Sequence, residues 1–261
     1  MTILSEILER KVREVADRRA ALPERDLEIR AAATPLPRRL EDVLAPAGGP
    51  VRIIAEVKRA SPSAGDIDPT LDAPEQAARY AAAGAAAISI LTDGPGFGGS
   101  LDDLAAARAR VEVPLLRKDF VLERYQLLEA RAWGAGAALL IVAALPGDRL
   151  RQRLDDCAAL GLSALVEVHD LAEARRAVAA GARIVGVNNR DLRTFRVDLA
   201  ACERVLPALP PGVLGVAESG IRTADDVARL RRSGAANFLV GEALVRASDP
   251  GALLREMAAA R

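Results

Sequence analysis

Charged side chains stand directly after several apolar runs of this 261-residue chain. Glu56 and Lys58 close one run, Lys118 closes another, and Glu167 and Glu218 close two more. Residues two apart on a strand point to the same face, so Glu56 and Lys58 share one. Positioned carboxylates and lysines are groups that donate and accept protons in general acid–base catalysis. If their faces point inward, the five residues converge on one catalytic cavity.

Ion pairing without catalysis is the alternative explanation for this cluster. Buried charges are costly unless they are paired, so these groups could simply neutralise one another inside the fold. Structural ion pairs need not gather at the ends of strands, however, and this position favours a functional site.

Other polar residues at strand ends allow more than one interpretation. Asn188 follows a further apolar run and is a candidate for the same site. Asp93 and Asp119 also follow apolar runs, where capping a loop explains them as well as catalysis does. His169 is the only histidine. We expect it to be a partly exposed residue at the rim, because the sequence shows no catalytic partner for it.

A repeated phrase indicates the elements that position these residues. A helical stretch ends near a glycine and is followed by a short apolar run and then by polar residues, in the segments 81–93, 131–145, 158–170, 177–191 and 230–244. Glycine ends a helix in the left-handed conformation. A short apolar run is typical of a parallel strand buried on both faces. Each phrase therefore predicts a helix followed by a strand with a polar carboxyl end.

Three further apolar runs, at 51–60, 113–120 and 212–220, end in the same way, which gives eight strands. Eight strands alternating with helices predict an α/β fold, a single closed (β/α)8 TIM barrel over residues 49–261. Residues 1–48 precede the repeat. Their helical periodicity predicts an N-terminal helical extension packing on the barrel, with a second short helix after the prolines of segment 34–44.

The composition excludes several classes of partner. Lys plus Arg equals Asp plus Glu at 36 each, so no net field attracts nucleic acid or an anionic membrane. No apolar run is long enough to span a bilayer, and the first residues do not resemble a secretory signal. The two cysteines stand apart and a single histidine makes a metal site unfavourable. We therefore expect reduced thiols, no metal and a cytoplasmic protein.

Small residues after the last two strands predict a phosphate site. Ser219-Gly220 and Gly241-Glu242 each stand between an apolar run and a helical segment. Backbone N–H groups at such turns bind phosphate, and barrels often hold a phosphate after strands seven and eight. The expected partner is thus a small phosphorylated molecule.

Longer motifs resemble the indole-3-glycerol-phosphate synthase family. The motifs are E-x-K-x-x-S-P-S from Glu56, LTDGPGFGGS at 91–100, LLRKDF at 115–120, LVEVHD at 165–170, VGVNNRDL at 185–192, AESGI at 217–221 and FLVGEALVR at 238–246. The resemblance spans almost the whole chain, including the extension. One departure is the glycine-rich DGPG before Phe97, where the family carries bulkier polar residues.

The resemblance implies a reaction and roles for the charged residues. The family converts 1-(2-carboxyphenylamino)-1-deoxyribulose 5-phosphate into indole-3-glycerol phosphate in tryptophan biosynthesis, releasing carbon dioxide and water without metal or organic cofactor. By resemblance, Lys118 is the general acid of ring closure and Glu167 the acid–base group of dehydration. Lys58 holds the substrate carboxylate and donates the proton that lets the hydroxyl leave, and Glu56 orients Lys58.

The same resemblance assigns the remaining residues to substrate binding. Asn188 and Glu218 position the sugar hydroxyls and the ketone, with help from Arg190. The phosphate site comprises Ser61, Ser219, Gly220, Gly241 and the backbone N–H of Glu242. The apolar wall for the anthranilate ring comprises Phe97, Phe120, Leu139, Ile141 and Leu192, for which ordinary core packing is the alternative. We expect a monomer, with at most weak association with other enzymes of the pathway.

Two other functions stay open from sequence. The nearest rival enzymes are a phosphoribosylanthranilate isomerase and a sugar-phosphate epimerase. The isomerase has no obvious use for a second inward lysine, and a metal-dependent epimerase needs histidine and aspartate ligands. The rival of another class is a barrel that only binds a phosphorylated ligand or a partner protein. The complete set of Glu56, Lys58, Lys118 and Glu167 favours the synthase.

Overall fold

The computed structural model describes residues 3–62, 64–191 and 196–261, in which strands and helices alternate. The barrel strands are β1 (Arg52–Val57), β4 (Ala87–Leu91), β5 (Leu115–Lys118), β6 (Ala137–Ile141), β7 (Ser163–Val168), β8 (Ile184–Asn188), β9 (Leu214–Glu218) and β10 (Asn237–Val240). A short hairpin, β2 (Ala60–Ser61) and β3 (Gly65–Asp66), lies in the loop after β1.

Helices surround these strands. They are α1 (Ile3–Ala21), α2 (Glu24–Ala33), α3 (Ala73–Ala82), α4 (Leu101–Arg108), α5 (Arg124–Ala132), α6 (Arg149–Ala159), α7 (Leu171–Ala180), α8 (Ala200–Val205), α9 (Ala224–Arg231), α10 (Glu242–Arg246) and α11 (Pro250–Ala258). Two 3₁₀ turns span Val142–Ala144 and Leu206–Ala208. Among the helices that the structure describes, none is both long enough and apolar enough to cross a membrane.

The strands form one closed parallel sheet in the order β1-β10-β9-β8-β7-β6-β5-β4. β1 closes it by pairing with β10 on one side, where Ile53 faces Phe238, and with β4 on the other, where Ala55 faces Ile88. The predicted (β/α)8 TIM barrel is confirmed. Since all strands are parallel, their carboxyl ends meet at one mouth.

The glycines of the repeated phrase end helices as predicted. Gly181 follows α7 with a φ of 102°, and its N–H donates to carbonyl groups of the last helical turn. A side chain at this left-handed φ would be strained, which explains the choice of residue. The other four glycines of the phrase, Gly84, Gly134, Gly161 and Gly234, also have positive φ.

The segment between α2 and β1 closes the barrel at the end opposite the mouth. Leu40 and Leu44 pack with the apolar interior of the barrel. Leu40 N donates to Ser163 Oγ over 3.0 Å, and Ala45 N donates to Asn237 Oδ1 over 2.8 Å. The short helix predicted after the prolines is wrong, because residues 41–43 form a turn held by bonds to the Leu40 carbonyl.

The two helices of the extension pack on the outside against α5. Val15 of α1 and Leu27 and Ala31 of α2 form one apolar cluster with Tyr125 and Leu128 of α5. The Tyr125 hydroxyl donates towards the carbonyl oxygens of Arg18 and Leu22, at 3.0 and 2.9 Å. This contact fixes α1 beside the strand ends that carry the charged residues.

Candidate active site

A cavity of about 650 Å³ opens at the carboxyl ends of the barrel strands. Its lining includes every described residue that the sequence predicts for the site: Glu56, Lys58, Ser61, Phe97, Lys118, Phe120, Leu139, Ile141, Glu167, Asn188, Arg190, Glu218, Ser219, Gly220, Gly241 and Glu242. Leu192 lies outside the described residues. Strand alternation thus brings these residues to one place, while their individual roles stay predictions.

Glu56 and Lys58 form an ion pair at the end of β1. Lys58 Nζ lies 2.7 Å from Glu56 Oε1. Burial alone would raise the pKa of Glu56, but the positive charges of Lys58 and Lys118 outweigh it and lower that pKa. A Cβ at position 241 would crowd Glu56 Oε1, so Gly241 leaves room for this carboxylate. Glu56 is therefore an ionised group that can orient Lys58.

Lys118 ends β5 with its ammonium between two carboxylates. Nζ lies 3.3 Å from Glu167 Oε2 and 3.9 Å from Glu218 Oε2. Burial alone would lower the pKa of Lys118, but the charges of Glu167, Glu218 and Glu56 outweigh it and raise that pKa. Lys118 therefore carries its proton at neutral pH and can act as a proton donor.

Glu167, on β7, is a buried carboxylate with positively charged neighbours. Burial would raise the pKa of its carboxyl, but Lys118, His169 and a hydrogen bond from Asn188 together lower it. The side chain of Glu167 is 3% exposed, so these partners take the place of water. An ionised carboxylate of this kind is suited to accept a proton from substrate.

Glu218 differs from the other carboxylates because one of its oxygens lacks a protein partner. Oε1 is buried and, among the described residues, makes no hydrogen bond. Gly186 on β8 provides its space, since a Cβ there would collide with Oε1. Burial, together with the negative charges of Glu167 and Glu56, raises the pKa of Glu218 to about 8 against the pull of Lys118. A neutral carboxyl can donate a hydrogen bond to a substrate oxygen.

The turn after β9, which the sequence predicts as part of the phosphate site, has an unusual backbone conformation. Ser219 has a φ of 65° and Gly220 a φ of 78°, and Ser219 is the only non-glycine residue with positive φ in the described ranges. Asn189 Nδ2 donates to the Ser219 carbonyl over 3.1 Å and holds this turn. Consecutive backbone N–H groups at a turn form anion-binding concavities.

One wall of the cavity is apolar and includes residues that the sequence interpretation missed. The rings of Phe97 and Phe120 lie 6.0 Å apart at 54°. Ile3, Leu4 and Ile7 of α1 line the same cavity. Their apolar spacing is visible in the sequence, but nothing local indicates that this face of α1 reaches the mouth.

Asp93 and Asp119, for which the sequence allows either loop capping or catalysis, make mainly structural contacts. Asp119 Oδ2 accepts from Thr92 Oγ1 and Arg117 Nη2, both at 2.8 Å, and Asp119 Oδ1 accepts from Phe120 N. Asp93 and Asp119 both pair with the buried Lys11. Of the two, only Asp119 contributes to the cavity lining.

Sequence comparison identifies the family. The family model described as indole-3-glycerol phosphate synthase matches residues 4–257. The chain belongs to the indole-3-glycerol phosphate synthase family. Indole-3-glycerol phosphate synthase of Nocardioides sp. is 49% identical over 257 residues, covering 98% of each chain. The enzyme of Streptomyces griseus subsp. griseus is 46% identical over 260 residues, covering 100% of this chain and 96% of the relative.

More distant solved structures show the fold alone. A 3-hexulose-6-phosphate synthase superposes with a TM-score of 0.61 at 18% identity, covering 81% of this chain and 99% of its own. Thiamine phosphate pyrophosphorylase from Pyrococcus furiosus gives a TM-score of 0.59, also at 18% identity, with coverage of 79% and 93%. Within the synthase family, by contrast, the whole length of this chain is matched.

The raised pKa of Glu218 predicts a pH-dependent stability. Between the ordinary value of 4.5 and about 8, the folded protein keeps a proton that the unfolded chain releases. The contribution of Glu218 to the free energy of unfolding therefore falls as pH rises through this window. Glu218→Gln removes the titration, so its melting temperature relative to wild type should rise between about pH 5 and about pH 8. Calorimetric melts across this range measure it.

The matched control is Glu203→Gln, which changes a surface carboxylate paired with Arg229. Its melting temperature relative to wild type should show no such rise towards pH 8. A constant difference between Glu218→Gln and wild type across the same range would contradict the assignment of a neutral Glu218.

Proposed function

We propose that this chain catalyses the conversion of 1-(2-carboxyphenylamino)-1-deoxyribulose 5-phosphate into indole-3-glycerol phosphate, carbon dioxide and water. The observation that supports it best is the placement of Lys118 between Glu167 and Glu218, with Lys58 and Glu56 on the same cavity. Two lysines and three carboxylates supply both acids, the base and the carboxylate anchor that this reaction requires.

The proposed chemistry proceeds in three steps. The aromatic carbon that bears the carboxylate attacks the ketone carbon while Lys118 gives a proton to the ketone oxygen. Loss of carbon dioxide then restores the aromatic ring. In the last step Lys58 protonates the hydroxyl, which leaves as water. Glu167 accepts the proton that the ring-closed intermediate loses as the indole forms. Two protons are donated and one is accepted, so each turnover takes one proton from solvent.

Binding groups surround this reacting centre. The turn at Ser219-Gly220, with Gly241, Glu242 and Ser61, would hold the phosphate, and Phe97 and Phe120 would pack against the anthranilate ring. Asn188 and Arg190 line the same cavity and would contact the sugar hydroxyls. This division matches the three parts of the substrate, an aromatic acid, a sugar chain and a phosphate.

The phosphate contacts predict a large loss of affinity for a substrate analogue without phosphate. We expect the dissociation constant of a dephosphorylated analogue to rise roughly a hundredfold or more, because several charge-assisted hydrogen bonds of about 1.5–3 kcal/mol are lost. Inorganic phosphate should compete with substrate. Isothermal titration measures both effects. Equal affinity for substrate analogues with and without the phosphate group would contradict this phosphate site.

The appearance of indole fluorescence on mixing purified protein with the carboxyphenylamino substrate tests the proposed function. Activity in the presence of a strong chelator is expected to be unchanged, because the proposed acids and bases are side chains. The isomerase and epimerase alternatives predict no indole product. Glu203→Gln is a control variant that should retain full activity.

We further propose that the enzyme works as a cytoplasmic monomer. One chain supplies every side chain named in the proposed reaction, and the free thiols Cys157 and Cys202 are both buried. Buried reduced thiols are typical of a reducing compartment. Light scattering on the purified protein would show a mass near 27.5 kDa.

A further inference from the structure

The only histidine of the chain lies beside the proposed base. His169 Nε2 is 3.7 Å from Glu167 Oε1, and its Nδ1 is 3.0 Å from Glu173 Oε2. Nε2 is buried and, among the described residues, has no hydrogen-bond partner. We propose that His169, held by Glu173, is a positioning residue that keeps Glu167 ionised and fixed. This inference rests on the proposed function, in which Glu167 accepts a proton.

Glu173 determines the orientation of the imidazole ring. Its Oε2 accepts from the His169 backbone N over 2.8 Å and also contacts Nδ1 of the ring. Glu173 itself lies in the first turn of α7, where its backbone N–H donates to Asp170 Oδ1 over 2.8 Å. With Nδ1 held in this way, Nε2 is left facing Glu167.

The two flanking carboxylates favour the charged ring. Neutral imidazole carries a proton on only one nitrogen, so only imidazolium presents an N–H to Glu173 and a second N–H towards Glu167. Burial alone would lower the pKa of His169, but the hydrogen bond with Glu173 and the negative charges of Glu167 and Glu173 outweigh it and raise that pKa.

Glu167 in turn faces groups from four other strands: Lys118, Asn188, Glu56 and Glu218. Lys118 Nζ lies 3.3 Å from one oxygen of Glu167, Oε2, and 3.9 Å from Glu218 Oε2. His169 places a second positive charge near the other oxygen, Oε1. Loss of that charge leaves Glu167 easier to protonate and therefore less available as a base.

A single histidine gives one imidazole signal in NMR, so its titration can be followed in the full-length protein. We expect its midpoint in wild type to exceed the ordinary histidine value, and to fall in both Glu173→Gln and Glu167→Gln. Glu203→Gln should leave it unchanged. A midpoint that neither variant moves would overturn the proposed contacts. This measurement does not depend on activity.

Turnover against pH tests the effect on Glu167. His169→Gln removes the charge, and we expect its kcat at the acidic end, relative to its own maximum, to fall roughly three- to tenfold below that of wild type. His169→Lys restores a cation and should recover most of the loss. The inference would be overturned if wild type and His169→Gln lost the same fraction of their maximal kcat at acidic pH. It would also be overturned if His169→Lys, with a normal melting temperature, did not regain kcat at acidic pH. Wild-type turnover in the same assay tests the proposed function separately.

Discussion

Lys118→Met is expected to lower kcat by roughly a hundred- to ten-thousand-fold while the barrel remains folded, because a positioned general acid contributes about that factor. Methionine keeps most of the length and packing of the lysine stem but removes the proton donor. KM should change much less than kcat, since the proton is needed mainly as the new ring bond forms.

A purely structural role for Lys118 predicts a different result. Its removal would then lower the melting temperature, because Glu167 and Glu218 lose their shared cation, while turnover per folded molecule would stay nearly intact. Melting temperature, kcat and KM measured on the same preparation separate the two roles. A folded Lys118→Met enzyme with near-normal kcat would refute the assignment.

The structure also settles a competition that the sequence leaves open. Lys58 and Arg190 could make the proton of Lys118 easier to release, while nearby carboxylates do the reverse. The carboxylates prevail, and the pKa of Lys118 is raised. In the proposed mechanism Lys118 therefore starts protonated, and it would give its proton to the oxygen that develops negative charge during ring closure.

The barrel and most of its mouth are predictable because they follow from local periodicity. Each phrase of helix, glycine and apolar run specifies its own strand, and parallel closure then brings all carboxyl ends together. Glu56, Lys118 and Glu167 meet for this reason, although they are far apart in the chain. Local spacing can also mislead, since Gly94, Gly96 and Gly99 match a dinucleotide-binding turn yet follow a barrel strand.

Features that depend on docking between distant segments are not predictable in this way. Periodicity shows that residues 3–20 form a helix but not which face meets the cavity, so Ile3 and Ile7 were missed. His169 lacked an evident partner because Glu173 reaches it only once α7 begins at Leu171. The lysine content is one feature of the sequence that could have pointed to Lys11 and its contacts near the mouth. The chain has only three lysines, Lys11, Lys58 and Lys118, and all three form ion pairs near the mouth.

Lys11→Met is expected to destabilise the protein by about 3–5 kcal/mol, the usual cost of removing one partner from a buried ion pair. Lys11 belongs to α1 and is fully buried, with Nζ 2.5 Å from Asp93 Oδ1, 2.9 Å from Asp119 Oδ1 and 2.8 Å from Glu14 Oε2. It therefore ties the extension to the ends of β4 and β5. Methionine would fill the space but leave two buried carboxylates with less compensating charge.

Thermal melts measure this effect, which for a chain of this size corresponds to a fall in melting temperature of roughly 10 °C. Arg79→Met is the control, because Arg79 forms an exposed pair with Glu75 that contributes little. Adding Asp93→Asn to Lys11→Met should recover part of the loss, since one uncompensated carboxylate disappears. If Lys11→Met melts at the same temperature as wild type, the buried ion pairs of Lys11 do not hold α1 in place. The attachment of α1 to the barrel then depends on the apolar contacts of Val15 with α5.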